Sequence, residues 1–176
     1  MSSKYKNIKI RVVDSLCASL GEGLLVYESA LLKEKGMDID SLSQWIENNK
    51  FKIKHPNIIG SLKHLQRGGR ISLATSFVGG LLNIMPILHM NEQGKLEIID
   101  KKRGMKNSVN FIISKMKSSK IGSRVFISHS DCKKQAIEVA DIIKKEFNAE
   151  VLVNEIGSVV GSHVGCGTIA IFYLAH

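Results

Sequence analysis

Hydrophobic and polar positions change rhythm several times along this chain, and each change marks an element. Residues 8–13, Ile-Lys-Ile-Arg-Val-Val, alternate and are rich in β-branched side chains, which predicts a strand. Helical spacing follows up to about Lys35. Leu24, Tyr27 and Leu31 fall on one side there, and Gly36 is the stop. A second helix is predicted to begin at an Asp40-Ser41 cap and to carry Leu42, Trp45 and Ile46 on one face. A charged bridge, residues 50–54, comes next, then a short strand at 57–59 and a short helix at 61–66. That helix delivers the chain to a Gly68-Gly69-Arg70 turn. Residues 72–82 read as a helix of small residues, and residues 86–90 and 95–100 as a hairpin around Asn91-Glu-Gln-Gly94.

From Arg103 onward helix and strand alternate. Met105, Val109, Ile112, Ile113 and Met116 keep helical spacing, and residues 125–127 form a short apolar strand. Ser130 or Asp131 is placed to cap a helix whose Ala136, Ala140, Ile143 and Phe147 face inward. Two more apolar strands flank residues 157–168, Gly-Ser-Val-Val-Gly-Ser-His-Val-Gly-Cys-Gly-Thr, whose four glycines read as a shaped loop. Alternation of this kind predicts an α/β sandwich with a mixed sheet.

Composition removes several function classes. No apolar run reaches the ~18 residues of a membrane span, and residues 77–90 are broken by Asn83, Pro86 and His89. The first residues carry no apolar signal region, and three widely spaced cysteines make no disulfide framework, so a reducing cytoplasm is expected. The net charge of +9 admits an anionic partner. Its lysines are scattered without interleaved aromatics, so the charge reads as a solvated face and no nucleic-acid partner is expected.

Candidate chemistry is sparse. A strand, Gly21-x-Gly23 and a helix suggest a dinucleotide turn, but Val26 stands where a third glycine is needed. No Gly-x4-Gly-Lys-Ser/Thr phosphate loop is present, so neither ATP nor any other cofactor is expected. His129/Cys132 and His163/Cys166 have zinc-type donors, yet nothing in the sequence brings the two pairs together, and no metal site is expected. Cys166 beside His163 suggests a thiol nucleophile without an orienting third group. His163 on its glycine-rich stretch is either a ligand contact or a structural histidine that pins the loop. With Arg70 it would form a cationic clamp for a carboxylate or phosphate. The apolar segments 73–88 and 169–173 would give that clamp a slot suited to a fatty acid.

Gly68-Gly69-Arg70-Ile71-Ser72, Leu81-Leu82-Asn83-Ile84-x-Pro86-Ile87-Leu88, Asn154-Glu-Ile-Gly157 and Gly161-Ser-His-x-Gly165-x-Gly167-Thr168 together resemble the DegV family of bacterial fatty-acid-binding proteins. Asp14-Ser15 and Ser19-x-Gly21-x-Gly23 fit in order. The resemblance implies a long-chain fatty acid held between two α/β domains. It also implies that the chain is the lipid-carrying subunit of a bacterial fatty-acid kinase, with catalysis left to a separate kinase. Arg70 and His163, with their neighbours Gly69 and Ser162, are then the lipid-binding residues, and no catalytic residue is expected. Three departures stand out. Cys166 occupies a place where the family has proline, Gly60-Ser61 replaces an acidic residue, and a preceding segment with a Thr/Ser-rich carboxylate loop is missing.

Residues 1–53 therefore read as a strand-helix-helix remnant of a first domain, and residues 54–176 as the second domain. The chain is expected to be a shortened form that binds lipid weakly. The alternative is a non-lipid anion-binding or interaction module that keeps the fold. The apolar faces of the first two helices need cover. They are expected either to fold back on the second domain or, preferentially, to pair two chains as a homodimer with residues 8–13 adding edge to edge.

Overall fold

The structure, a computed structural model, describes residues 8–70 and 83–176. The helix expected at 72–82 falls outside the described residues. Helices α1 (Leu20–Glu34) and α2 (Ile39–Asn49) come first, followed by strands β1 (Ile53–Lys54) and β2 (Asn57–Ile58) and helix α3 (Leu62–Arg67). Then come the hairpin β3 (Ile84–Met90) and β4 (Leu96–Arg103), helix α4 (Gly104–Lys117), β5 (Ile121–Ser130), α5 (Lys133–Phe147), β6 (Glu150–Glu155), α6 (Ser158–Val164) and β7 (Thr168–Ala175). Among the described residues seven strands form one mixed sheet, ordered β4-β3-β2-β7-β5-β6, with β1 also paired to β7. Only β5 and β6 run parallel among these pairs.

The side-chain alternation of β7 divides the core in two. Ile169, Ile171 and Tyr173 face α4 and α5, where Val109, Ile112, Met116, Ala136, Ala140 and Ile143 are buried. Ala170, Phe172 and Leu174 face the other way, onto Leu24 and Leu25 of α1, with Trp45 and Ile46 of α2 packed alongside. The first two helices thus find their cover on the sheet. Arg124 ties α1 down further: its guanidinium donates to Glu28 and Glu150, each at 3.1 Å, and lies over the Tyr27 ring. The boundary expected after residue 53 falls inside β1.

Residues 8–13 are not a strand. No described strand pairs with them, and an extended segment without a ladder partner gains nothing from alternation alone. Their polar side docks instead: Lys9 and Arg11 both reach Asp40 in the first turn of α2, Arg11 at 2.6 Å, while Ile8, Ile10 and Val12 face outward. The cap of α2 is Asp38 rather than Asp40-Ser41. The Asp38 carboxylate accepts from the backbone N–H groups of Asp40 and Ser41 and from the Ser41 hydroxyl, which holds it below the usual carboxylate range. Neither Ser130 nor Asp131 caps α5. Asp131 adopts φ 50° and Cys132 takes the cap position without a side-chain hydrogen bond. The hairpin turn forms where the sequence places it, with Asn91 Oδ1 accepting from the backbone N–H groups of Gln93 and Lys95.

The stretch read as a loop at 157–168 holds helix α6. Gly157 and Gly165 sit at the two ends of this short helix, and the half-buried Gly161 lies within it, towards Ser130 and Ile156. Gly165, at φ 72°, supplies the left-handed residue that ends it. Helices α3 and α6 lie beside α1 on the same face of the sheet, over a third cluster of Ile59, Leu65, Leu88 and Val164.

Candidate functional site

Two short helices build the site by leaning on each other's histidines. Gly68, which ends α3, lies against the His163 ring at the end of α6. Gly165, which ends α6, lies against the His64 ring of α3, and a Cβ there would stand 2.7 Å from His64 Nδ1. Each glycine leaves the space that the other helix's imidazole fills. This reciprocal fit fixes where α3 stops, and therefore where Gly69 and Arg70 emerge. The Gly69 N–H bonds back to Gln66 and the Arg70 N–H to Leu65, with Gly69 at φ 66°. The Arg70 guanidinium donates from Nη1 to the Gly68 carbonyl at 3.0 Å.

Arg70, Gly69 and His163 line one open groove, with Lys95 and Glu97 of the β3–β4 hairpin on its rim and Leu96, Val160 and Val164 along its walls. Ser162, the fourth residue singled out in the sequence, is not among those lining residues. Its hydroxyl donates to the Val159 carbonyl of its own helix at 2.8 Å. The groove continues into a narrow apolar slot between the start of α1 and helix α6. Groove and slot share Ala18, Met90, Leu96, Val160 and Val164. Ala170 and Phe172 of β7 form the floor of the slot, and Ser128, Thr168, Asn57 and His55 close its inner end. Ser19 reaches down to this floor, its hydroxyl 3.2 Å from that of the fully buried Ser128.

The sequence located the floor in segment 169–173. It missed the wall, because Val160 and Val164 sat in a stretch read as loop. Their four-residue spacing was the available signal. Of the segment 73–88, also expected to line the slot, residues 73–82 lie outside the described residues, and none of 83–88 is among the lining of groove or slot.

The two His-x-x-Cys pairs stand closer than the sequence suggests. Ser130 and Thr168 face each other across β5 and β7, the Gly167 N–H donates to the Ser130 carbonyl at 2.8 Å, and the Cys132 thiol donates to the Thr168 carbonyl at 3.3 Å. Even so, among the described residues no group of three or more His, Cys, Asp or Glu side chains is arranged to hold a metal. Cys166 is exposed, while burial pushes the Cys132 thiol pKa up. No described helix is long and apolar enough to cross a membrane.

The chain as a whole has relatives among known proteins. A family model described as "Uncharacterised protein, DegV family" matches residues 1–176. The chain belongs to the DegV family. It is 39% identical over 175 residues to a DegV domain-containing protein of Clostridium perfringens, covering 97% of this chain and 60% of that one. Among solved structures of DegV proteins it resembles one from Thermus thermophilus described by its fatty-acid binding, with TM-score 0.85 and 27% identity over 99% of this chain and 64% of that one. It also resembles the fatty acid kinase (Fak) B3 protein of Streptococcus pneumoniae loaded with linoleic acid, with TM-score 0.89 and 25% identity over 99% of this chain and 63% of that one. The chain spans about 60% of the length of the curated DegV relatives it matches.

Proposed function

We propose that this chain binds a long-chain fatty acid, carboxylate at Arg70 and His163, tail along Val160 and Val164 into the slot above Phe172. The observation that carries the reading is the continuity of the mouth at Arg70 and His163 with an apolar slot, through five shared lining residues. A carboxylate needs charge-assisted donors, and an acyl tail needs a surface that loses nothing on leaving water. The likeness to DegV structures holding fatty acids supports the same assignment.

The role is that of carrier. A bound carboxylate at an open mouth is accessible to a separate kinase, and the likeness to the Fak B3 protein makes a fatty-acid kinase the partner of choice. A cytoplasmic setting suits three cysteines without disulfide partners. Residues 54–176 carry Arg70 and His163, and residues 1–53 contribute Ala18 and Ser19 to the slot.

The purified chain, analysed by denaturing mass spectrometry, is expected to release copurified fatty acid. Absence of fatty acid there, together with no heat of binding when oleate is titrated into the protein, would overturn the assignment.

A further inference from the structure

Behind the slot lies a second cavity of about 380 Å³. It occupies a window in the sheet. Strand β1 pairs with β7 but not with β3, and β3 ends at Met90, so the backbone leaves a gap between them. Side chains from both faces meet in that gap: Ile112 and Tyr173 from the α4 side, Ile53 from the α1 side. Lys54 and Lys115 stand exposed at its mouth.

His55 and Met90 line both this cavity and the slot, and Met90 lines the outer groove as well. The slot on the near side measures only about 80 Å³. The partition between the two spaces is thus one imidazole and one thioether, and a methionine side chain is the most easily rearranged of apolar groups.

We propose that His55 and Met90 are the wall that sets how far an acyl tail reaches, and that the cavity behind them takes the end of longer chains when the wall is removed. This inference rests on the fatty-acid reading above and names the residues that decide chain length within it. The annex offers a methyl terminus an apolar side in Ile53, Ile99, Ile112 and Tyr173; Lys54 and Lys115 stay exposed, while the largely buried Lys50 turns its ammonium to Glu47 and the Asp14 carbonyl.

The test is competitive displacement of a fluorescent fatty acid by tetradecanoate, octadecanoate and docosanoate. In His55→Ala the affinity for docosanoate relative to tetradecanoate is expected to rise by about tenfold. Adding Ile99→Trp, which fills the annex from β4, should take that gain away. If His55→Ala does not fold, Met90→Ala opens the same wall from β3 and is held to the same ratio. A folded variant that binds tetradecanoate with an unchanged ratio overturns the wall and leaves the lipid site standing. Failure of the unaltered chain to bind any of the three acids removes the lipid site, and the wall with it.

Discussion

Arg70 illustrates how far a single residue can be read without a structure. Its permanent charge and its glycine neighbours marked it as a candidate anion contact. They could not show that one arm of its fork is spent on the Gly68 carbonyl. That internal bond holds the guanidinium over the groove, so Arg70→Ala removes a positioned donor as well as a charge. Binding of oleate, followed by calorimetry, should weaken by about 1.5–3 kcal/mol. Arg70→Lys should recover little of it, because an ammonium has no second arm to anchor. His55 was invisible in the sequence, since nothing about an isolated His-Pro pair reveals burial. Desolvation first, and the neighbouring His89 second, push its pKa down from 6.5 to about 4. A base that protonates less readily when folded takes up its proton first in the unfolded chain. The stability His55 permits is therefore complete above pH 6.5 and is lost as pH falls from 6.5 to about 4. At about 1.4 kcal/mol per unit, the loss comes to about 3.5 kcal/mol. Urea midpoints measured between pH 7 and pH 4 should show it, with a smaller fall in His55→Phe. Gly60, which looked like a departure from the family pattern, has a packing reason. A Cβ there would press on the backbone of Cys166 and stand 2.9 Å from Gly167 C.

At the level of elements, period was a sound guide where both sides of an element have a defined job. Alternation in β7 and helical spacing in α4 and α5 matched two apolar cores, and those elements form where expected. It misled at residues 8–13, where the alternation is real but the docking side is the charged one, and among the described residues no strand completes the ladder. It misled again at 157–168, where glycine density outweighed the spacing of Val160 and Val164. Those glycines serve helix ends and helix contact, a use that composition cannot distinguish from a loop. Gly165 makes the point testable. An alanine there meets both an unfavourable φ of 72° and the His64 ring. Gly165→Ala should cost about 1–3 kcal/mol in urea unfolding and, by displacing α3, should also weaken fatty-acid binding. A variant as stable as the parent would show that α3 and α6 are not held by this fit.

The whole molecule joins its first helices to its sheet more tightly than the sequence suggests. Leu24 and Leu25 of α1 are buried against Phe126, Phe172 and Leu174, and Arg124 bonds across α1 and β6. The single tryptophan, Trp45, packs on this same cluster from α2. If α1, α2 and the sheet form one cooperative unit, Trp45 fluorescence and far-ultraviolet circular dichroism should report the same unfolding midpoint. A fluorescence transition at lower urea would mean that residues 1–53 come away first, as a separable domain.

Strand β7 runs through the middle of the sheet, with β1 and β2 along one side and β5 along the other, yet it is made after all six other described strands. A nascent chain still on the ribosome lacks the strand that joins its other strands into one sheet. Phe126, Ile127 and the apolar faces of α1, α4 and α5 must wait, exposed, until Thr168–Ala175 has emerged. Sheet assembly is therefore deferred until β7 has been made and depends on contacts distant in sequence, the regime in which folding is slow and unfinished chains aggregate. The protein should lean on chaperones during synthesis, and a ribosome stalled just before β7 should display a chain that proteases cut freely.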